Sequence, residues 1–112
     1  MVIHKMKLSA PWFNLVKSGK KNVEGRIYDE KRQKLKVGDY IEFSNSSGNN
    51  KFKKKIIKLK TYNNFEKAIK DAKLKNILPG IKTYTEGVKV YHDIPGFKEK
   101  SKKFGVLNIF LG

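Results

Sequence analysis

A chain of 112 residues has room for one modest hydrophobic core, so the sequence predicts one domain over residues 1–112. Aromatic residues at 12% exclude the disordered class, and the absence of cysteine excludes disulfides and thiolate zinc sites. The 26 Lys and Arg residues against 10 Asp and Glu residues give a formal net charge of +16. We expect a cytosolic protein, or a nuclear one if the host has a nucleus.

This charge favours a polyanionic partner, with nucleic acid before an anionic membrane. The competing explanation is compositional, because a chain rich in Lys and Asn with only two Arg is typical of an AT-biased genome. The lysines in Met1–Leu8 leave no apolar run long enough for a signal sequence or a membrane span. We therefore expect nucleic acid as partner, no membrane, and a monomer as the simplest assembly.

The first 19 residues predict a strand and a helix. Alternation over residues 2–8 places Met6 and Leu8 toward the core, and a helix from about Ala10 to Ser18 should end at Gly19.

The helix carries the only tryptophan of the chain. Ser9 is the expected cap, because its side chain can accept from the free amides of the first turn. Trp12 shares helical spacing with Leu15 and Val16, which favours a core anchor. The alternative is an aromatic plate at the mouth of a cleft, on which a base could stack.

Residues 19–43 concentrate glycine, paired charges and strand-like alternation. Val23, Gly25 and Ile27 share one parity with Lys21, and a turn at 37–39 precedes a second strand. The other parity is polar, charged and aromatic, with Lys20, Asn22, Glu24, Arg26 and Tyr28.

A polar hairpin tip at 44–50 leads into a long basic strand at 52–62. Its imperfect alternation predicts a bulge near Ile56 and Ile57 that turns both apolar sets inward. The lysines should lie on an outer surface that is either merely solvated or a track for a nucleic-acid backbone. They are Lys51, Lys53, Lys54, Lys55, Lys58 and Lys60.

The remaining residues predict two helices and a final strand. One helix spans 63–74 with a capping box from Asn63, and a short one spans 85–92 with Tyr91 on its apolar side. Residues 98–103 form a second lysine cluster. Residues 106–111 are apolar on both parities apart from Asn108, which predicts a strand covered on both faces.

These motifs, in this order, resemble the ASCH domain of the PUA-like group. The resemblance lies in the spacing of Gly19, Lys21, Glu24 and Arg26, which are followed by the charged residues 29–32 and the turn at 37–39. Residues 8–16 and 104–111 also stand where the family has its first helix and its last strand. It implies an α+β, mainly β fold: a small PUA-like β-barrel of five or six strands with flanking helices.

Lys21, Glu24 and Arg26 lie within six residues and are the best candidates for chemistry. On a regular strand Lys21 points away from the other two, so a joint site needs a bulge or a twisted strand end, which Gly25 permits. Neither Lys21 nor Glu24 has an evident core role. The plainer alternative is a Glu24–Arg26 ion pair that braces helices against the barrel. No metal or cofactor is expected, because the sequence has no ligand motif.

The resemblance also implies activities. Some family members bind or cleave RNA, and small bacterial members hydrolyse N4-acetylcytidine with a threonine nucleophile three residues after a lysine. Lys21 matches that lysine, but position 24 is Glu. For RNA cleavage, the signature would be a Lys21 pKa lowered by Lys20 or a Glu24 pKa raised by burial.

We therefore expect an RNA- or nucleotide-binding protein with a cleft beside Lys21, Glu24 and Arg26. The alternatives are a hydrolase acting on a modified nucleoside or on RNA, with Lys21 and Glu24 as catalytic residues, and a basic adaptor for an acidic protein. The expected ligand-binding residues are Trp12, Lys20, Lys21, Arg26, Tyr28, Lys54, Lys58 and Tyr91.

Overall fold

A computed structural model describes residues 2–112 and contains five strands and five α-helices in that range. The strands are β1 (Ile3–Lys7), β2 (Val23–Ile27), β3 (Tyr40–Ser44), β4 (Lys51–Tyr62) and β5 (Val106–Leu111). The helices are α1 (Trp12–Ser18), α2 (Phe65–Ala72), α3 (Leu74–Ile77), α4 (Tyr84–His92) and α5 (Phe97–Phe104), with a short 3-10 helix at Arg32–Lys34.

The strands form one sheet in the order β1-β3-β4-β5-β2. β1 pairs with β3 in parallel, and the other three pairings are antiparallel. The sheet curls into an open half-barrel whose two edges are β1 and β2. This confirms the expected α+β fold with a barrel-like sheet.

The long strand β4 lies at the centre of the sheet and pairs with β3 on one side and with β5 on the other. Its first residues pair with β3, its last pair with β5, and the register shifts between Ile56 and Lys58. The predicted bulge is thus confirmed, but the inward placement of Ile57 is wrong, because its side chain is 54% exposed. The extra residue of a bulge stands outside the alternation of its strand and is left facing solvent.

Two apolar clusters hold the fold together. The inner cluster fills the concave side of the half-barrel, and the outer cluster lies between the sheet and helices α2 to α5. β5 contributes to both: Leu107 and Ile109 face inward, while Val106 faces the helices. The prediction that this strand is covered on both faces is confirmed. Its polar residue Asn108 is fully buried and donates from Nδ2 to the carbonyl of Ala68, 2.9 Å away.

The helix termini differ from the sequence expectations in detail. Gly19 ends α1 with φ of +85°, but Ser9 offers only its backbone carbonyl, which accepts from the amide of Phe13. Asn64, one residue later than predicted, caps α2 by accepting from the amide of Lys67 at 2.9 Å. An extended backbone at Asn64 aims its side chain at the free amides, as capping requires.

Two helices were not predicted. α5 covers the stretch interpreted as a lysine cluster, and α3 is a single turn. In α5 only Phe97, Ser101 and Phe104 recur at helical spacing, and four lysines hide that stripe. No helix among residues 2–112 has the length and apolar character needed to cross a membrane.

Candidate functional site

The free edge of β2 is the framework of the site. Tyr28 donates its amide to Gly105, and Asn22 accepts from the amide of Leu111, so the even-numbered residues of this strand bond to β5. Because backbone groups alternate in direction along an antiparallel strand, those of Val23 and Gly25 point to the free edge.

A cleft of about 460 Å³ opens along this edge, between β2, the end of β1 and the helical layer. Its residues come from nearly every part of the fold: Lys7, Leu8, Ser9, Trp12, Lys21, Glu24, Gly25, Arg26, Ser46, Leu78, Val90, Tyr91, Ile94 and Phe97. The walls combine apolar side chains with a few polar groups, as small-molecule sites do.

Lys21 reaches the cleft because it lies outside the strand. β2 begins at Val23, so the alternation that was expected to turn Lys21 away does not apply to it. Its Nζ donates to the carbonyls of Val23, at 2.7 Å, and of Ile77, and lies 3.4 Å from Oε1 of Glu24. With 2% of its surface exposed, Lys21 is a core residue, contrary to expectation.

Glu24 is the centre of the charged cluster and is likewise buried rather than surface-facing. Its Oε2 accepts from Nε of Arg26 at 2.7 Å, while Oε1 faces Lys21. Burial alone would raise the pKa of Glu24, but the charges of Arg26 and Lys21 outweigh that effect and hold the pKa below its ordinary value.

Neither expected signature of RNA cleavage is present. The pKa of Glu24 is lowered, where burial was expected to raise it. The pKa of Lys21 is lowered, but the cause is burial and not Lys20, and the nearby carboxylate of Glu24 opposes the shift.

Arg26 joins the two edges of the half-barrel. While its Nε binds Glu24, its Nη2 donates to the carbonyl of Lys7 at 3.0 Å. The Glu24–Arg26 ion pair anticipated as an alternative is therefore present, but it braces β2 against β1 and not a helix against the sheet.

Trp12 has both of the roles considered for it. It is half-buried and packs against the outer cluster, whereas the buried residues of α1 are Phe13 and Val16. Its ring also lines the cleft, with Nζ of Lys21 lying 5.7 Å from the ring centroid. A cation at that distance from the face of an indole is attracted to it.

Tyr91 also lines the cleft, and its ring is held by stacking. Its ring lies 4.4 Å from that of Phe65, centroid to centroid, and nearly parallel to it. Burial raises the pKa of Tyr91, with the charge of Glu24 adding to the shift, so the phenol stays protonated. The hydroxyl packs on Gly25, where a Cβ would come within 2.8 Å of the oxygen. Position 25 therefore requires glycine.

Four of the expected ligand residues are not among the cleft-lining side chains. Lys20 is exposed just after α1, and Tyr28 borders a separate cavity of about 440 Å³. Lys58 lies over the ring of Phe110, 5.0 Å from its centroid, on the outer side of the sheet.

Lys54 corrects the expectation that all lysines of β4 face outward. It shares the parity of Phe52 and Ile56 and pairs with the buried Ile41, so its side chain is half-buried on the concave side. The shared parity was visible in the sequence, but the density of lysines obscured it.

The apolar wall of the cleft was not anticipated. Leu78, Val90, Ile94 and Phe97 form it, and all four lie within two residues of a helix end. Apolar residues beside the two Pro-Gly breaks were the available signal. The described residues contain no group of three or more His, Cys, Asp or Glu side chains that could hold a metal ion.

Comparison with known proteins finds one family model and two solved structures that match nearly the whole chain. The model of the ASCH domain matches residues 6–109. The crystal structure of hypothetical protein PH0355 is similar at 38% identity, with a TM-score of 0.88, 98% of this chain covered and 97% of that one. The solution structure of protein PF0455 from Pyrococcus furiosus is similar at 36% identity and a TM-score of 0.76, with 98% and 96% covered. No curated protein matches.

Proposed function

Because this chain belongs to the ASCH domain family, whose members are generally RNA-binding, we propose that it binds RNA or a nucleotide in the cleft at the free edge of β2. One observation carries the proposal: an aromatic ring, a guanidinium and an unpaired strand edge line the same cleft. Its volume lies in the range of about 300–1,000 Å³ typical of small-ligand sites, enough for a nucleotide.

Trp12 is placed to stack on the base of the ligand. Bases splayed out of a single strand stack on aromatic side chains, and the indole of Trp12 is half-buried at the cleft wall. The amide of Gly25 lies beside the hydroxyl of Tyr91, so it is the carbonyl of Gly25 at the strand edge that can accept a hydrogen bond from the rim of the base.

Arg26 is placed to bind the phosphate of the ligand. Glu24 and the carbonyl of Lys7 occupy its Nε and Nη2, which leaves Nη1 for a ligand while the ion pair fixes the plane of the guanidinium. A guanidinium held in this way loses little further freedom when it binds a phosphate oxygen.

Catalysis by Lys21 and Glu24 has less support. The three contacts of Lys21 match the three donors of an ammonium group, and Glu24 keeps its charge in a pair with Arg26. Position 24 also lacks the hydroxyl that a threonine nucleophile would supply. Binding without turnover is therefore the function that the geometry favours, over the hydrolase and the acidic-protein adaptor.

The two arginines of the chain provide the test. Arg26→Gln and Arg32→Gln remove the same charge, one inside the cleft and one outside it. Single-stranded RNA of about 4 nucleotides should change the emission of Trp12, with Arg26→Gln weakening the affinity about tenfold, since a charge-assisted hydrogen bond contributes roughly 1.5–3 kcal/mol. Arg32→Gln should lower the affinity less than Arg26→Gln does, because Arg32 lies outside the cleft and acts on Arg26 and Glu24 only through its charge.

Thermal melting must accompany this comparison, because Arg26→Gln also removes a partner of Glu24. The proposal fails if a folded Arg26→Gln protein binds as tightly as Arg32→Gln. It also fails if the emission of Trp12 is unchanged when the RNA is saturating.

A further inference from the structure

The convex face of β1, β3 and the first half of β4 has no part in the cleft except at Lys7. Residues in register across these strands share that face: Ile3 with Tyr40 and Lys55, Lys5 with Glu42 and Lys53, and Lys7 with Ser44 and Lys51. We call this surface the lysine face.

The lysine face is open and strongly charged. All five of its lysines are exposed, whereas the residues between them along the strands, such as Ile41 and Phe43, are buried on the other side. Glu42 is its one acidic residue, at 4.0 Å from Lys51, so the nine positions carry a net charge of +4. Such a surface is expected to concentrate a polyanion.

The face is continuous with the cleft. Lys7 both ends β1 on the lysine face and lines the cleft, and the cleft also includes Ser46 from the hairpin that joins β3 to β4. A chain that leaves the cleft past Lys7 therefore meets Lys51 two strands away, then Lys5 and Lys53 in the next row.

We propose that the lysine face carries the backbone of single-stranded RNA that extends from the cleft. The proposal rests on the function proposed above, since the cleft holds one nucleotide of the same strand. Successive rows lie about 6.8 Å apart, two strand residues at about 3.4 Å each. Tyr40, half-buried between Ile3 and Lys55, supplies an aromatic surface for a base in the last row.

RNA fits this face better than an acidic protein or a membrane does. The lysines stand in rows across a curved sheet, and Tyr40 lies beside Lys55 in the last row, so that phosphates and a base both find partners. Backbone contacts of this kind give affinity without reading sequence.

The test uses two triple variants of equal charge. Lys5→Gln, Lys53→Gln and Lys55→Gln alter the lysine face, and Lys67→Gln, Lys75→Gln and Lys82→Gln alter exposed lysines in the helical layer. Binding is measured against salt with single strands of about 4 and about 16 nucleotides, which bracket the site sizes known for another small β-barrel, the OB fold.

For the longer strand, the lysine-face variant should reduce the slope of log K against log salt by about 2, at roughly 0.7 for each lost phosphate contact. The control variant should keep the slope of the parent, and the short strand should distinguish neither variant. An equal loss of slope in both variants would overturn the proposal. The proposal would also be overturned if the lysine-face variant lost as much affinity for polyglutamate as for the longer RNA strand. That result would indicate a surface that binds acidic proteins.

Failure here is separable from failure of the cleft. If Arg26→Gln leaves binding of the short strand intact, the cleft proposal falls, whatever the lysine-face variant does. If Arg26→Gln weakens the short strand but both triple variants bind the long strand alike, the cleft proposal stands and the lysine face is only solvated.

Discussion

The two halves of the sheet are built on different plans. β1, β3 and the start of β4 bury one face and leave the other to water, and their side chains alternate between apolar and polar. The end of β4, β5 and β2 lie between the inner cluster and the helical layer, and β5 is apolar on both faces. Shielding by helices thus frees a strand from alternation, while exposure leaves room for a charged surface.

The largest difference between the halves should appear on truncating an aromatic core residue. Phe65 is fully buried between Tyr91 and Phe97, so Phe65→Ala should lower the free energy of unfolding by about 4 kcal/mol. Phe52→Ala, at a half-buried ring of the other half, should cost clearly less. Urea unfolding measures both, and equal losses would mean that the helical layer adds nothing to core stability.

The next effect concerns the edge where the half-barrel stays open. Glu24→Gln leaves Lys21 and Arg26 without their carboxylate, so we expect a loss of about 3 kcal/mol at neutral pH. Because the pKa of Glu24 is held below its ordinary value of 4.5, its contribution is present above that pH and is lost as the pH falls through the lower value.

The unfolding free energy of the parent should therefore fall more steeply below pH 4.5 than that of Glu24→Gln. Glu42→Gln on the lysine face is the matched control, and its pH profile should follow the parent. Parallel profiles for the parent and Glu24→Gln would show that the buried pairs do not stabilise the fold.

A buried polar residue of the covered half gives an intermediate effect. Asn108→Ala removes the hydrogen bond to the carbonyl of Ala68 and leaves a cavity at a fully buried position, so it should cost about 2 kcal/mol. Ser44→Ala, at a half-buried position on the lysine face, should stay within about 0.5 kcal/mol. Chemical denaturation measures the free energy of unfolding of both variants. A larger loss for Ser44→Ala than for Asn108→Ala would contradict this prediction.

The smallest effect is expected on the open half. Lys53→Gln should change the free energy of unfolding by no more than about 0.5 kcal/mol in either direction, because relief of repulsion from neighbouring lysines is offset by the loss of attraction to Glu42 on the paired strand. Melting temperatures at low and high salt measure this. A marked destabilisation would assign Lys53 a structural role that its exposure does not suggest.

The sequence predicted the sheet better than it predicted the helical layer. Alternation in β1 and β3 and its absence in β5 report directly on how many faces are covered. α5 escaped notice because its apolar stripe is narrow, and the cap of α2 was one residue off because Asn63 and Asn64 are equally good caps by composition.

Only part of the predicted set of residues lines one cleft, and the environment of that part was not predicted. Lys21, Glu24, Arg26, Trp12 and Tyr91 do meet in one cleft. Their burial could not be inferred, because it depends on where β2 begins and on α3, whose residue Ile77 supplies a carbonyl to Lys21. A one-turn helix carries too little periodic signal to be found from sequence.

The strand β4 is long enough to belong to both halves of the sheet and connects them. Twelve residues of regular strand span about 36 Å from first to last Cα atom, more than the longest principal extent of the molecule, 32 Å, and the bulge between Ile56 and Lys58 bends the strand around the core. Each half takes its central hydrogen bonds from this one strand. Amide protons of β3 and of β5 should therefore exchange with deuterium through the same global opening, although only one of them lies beneath helices.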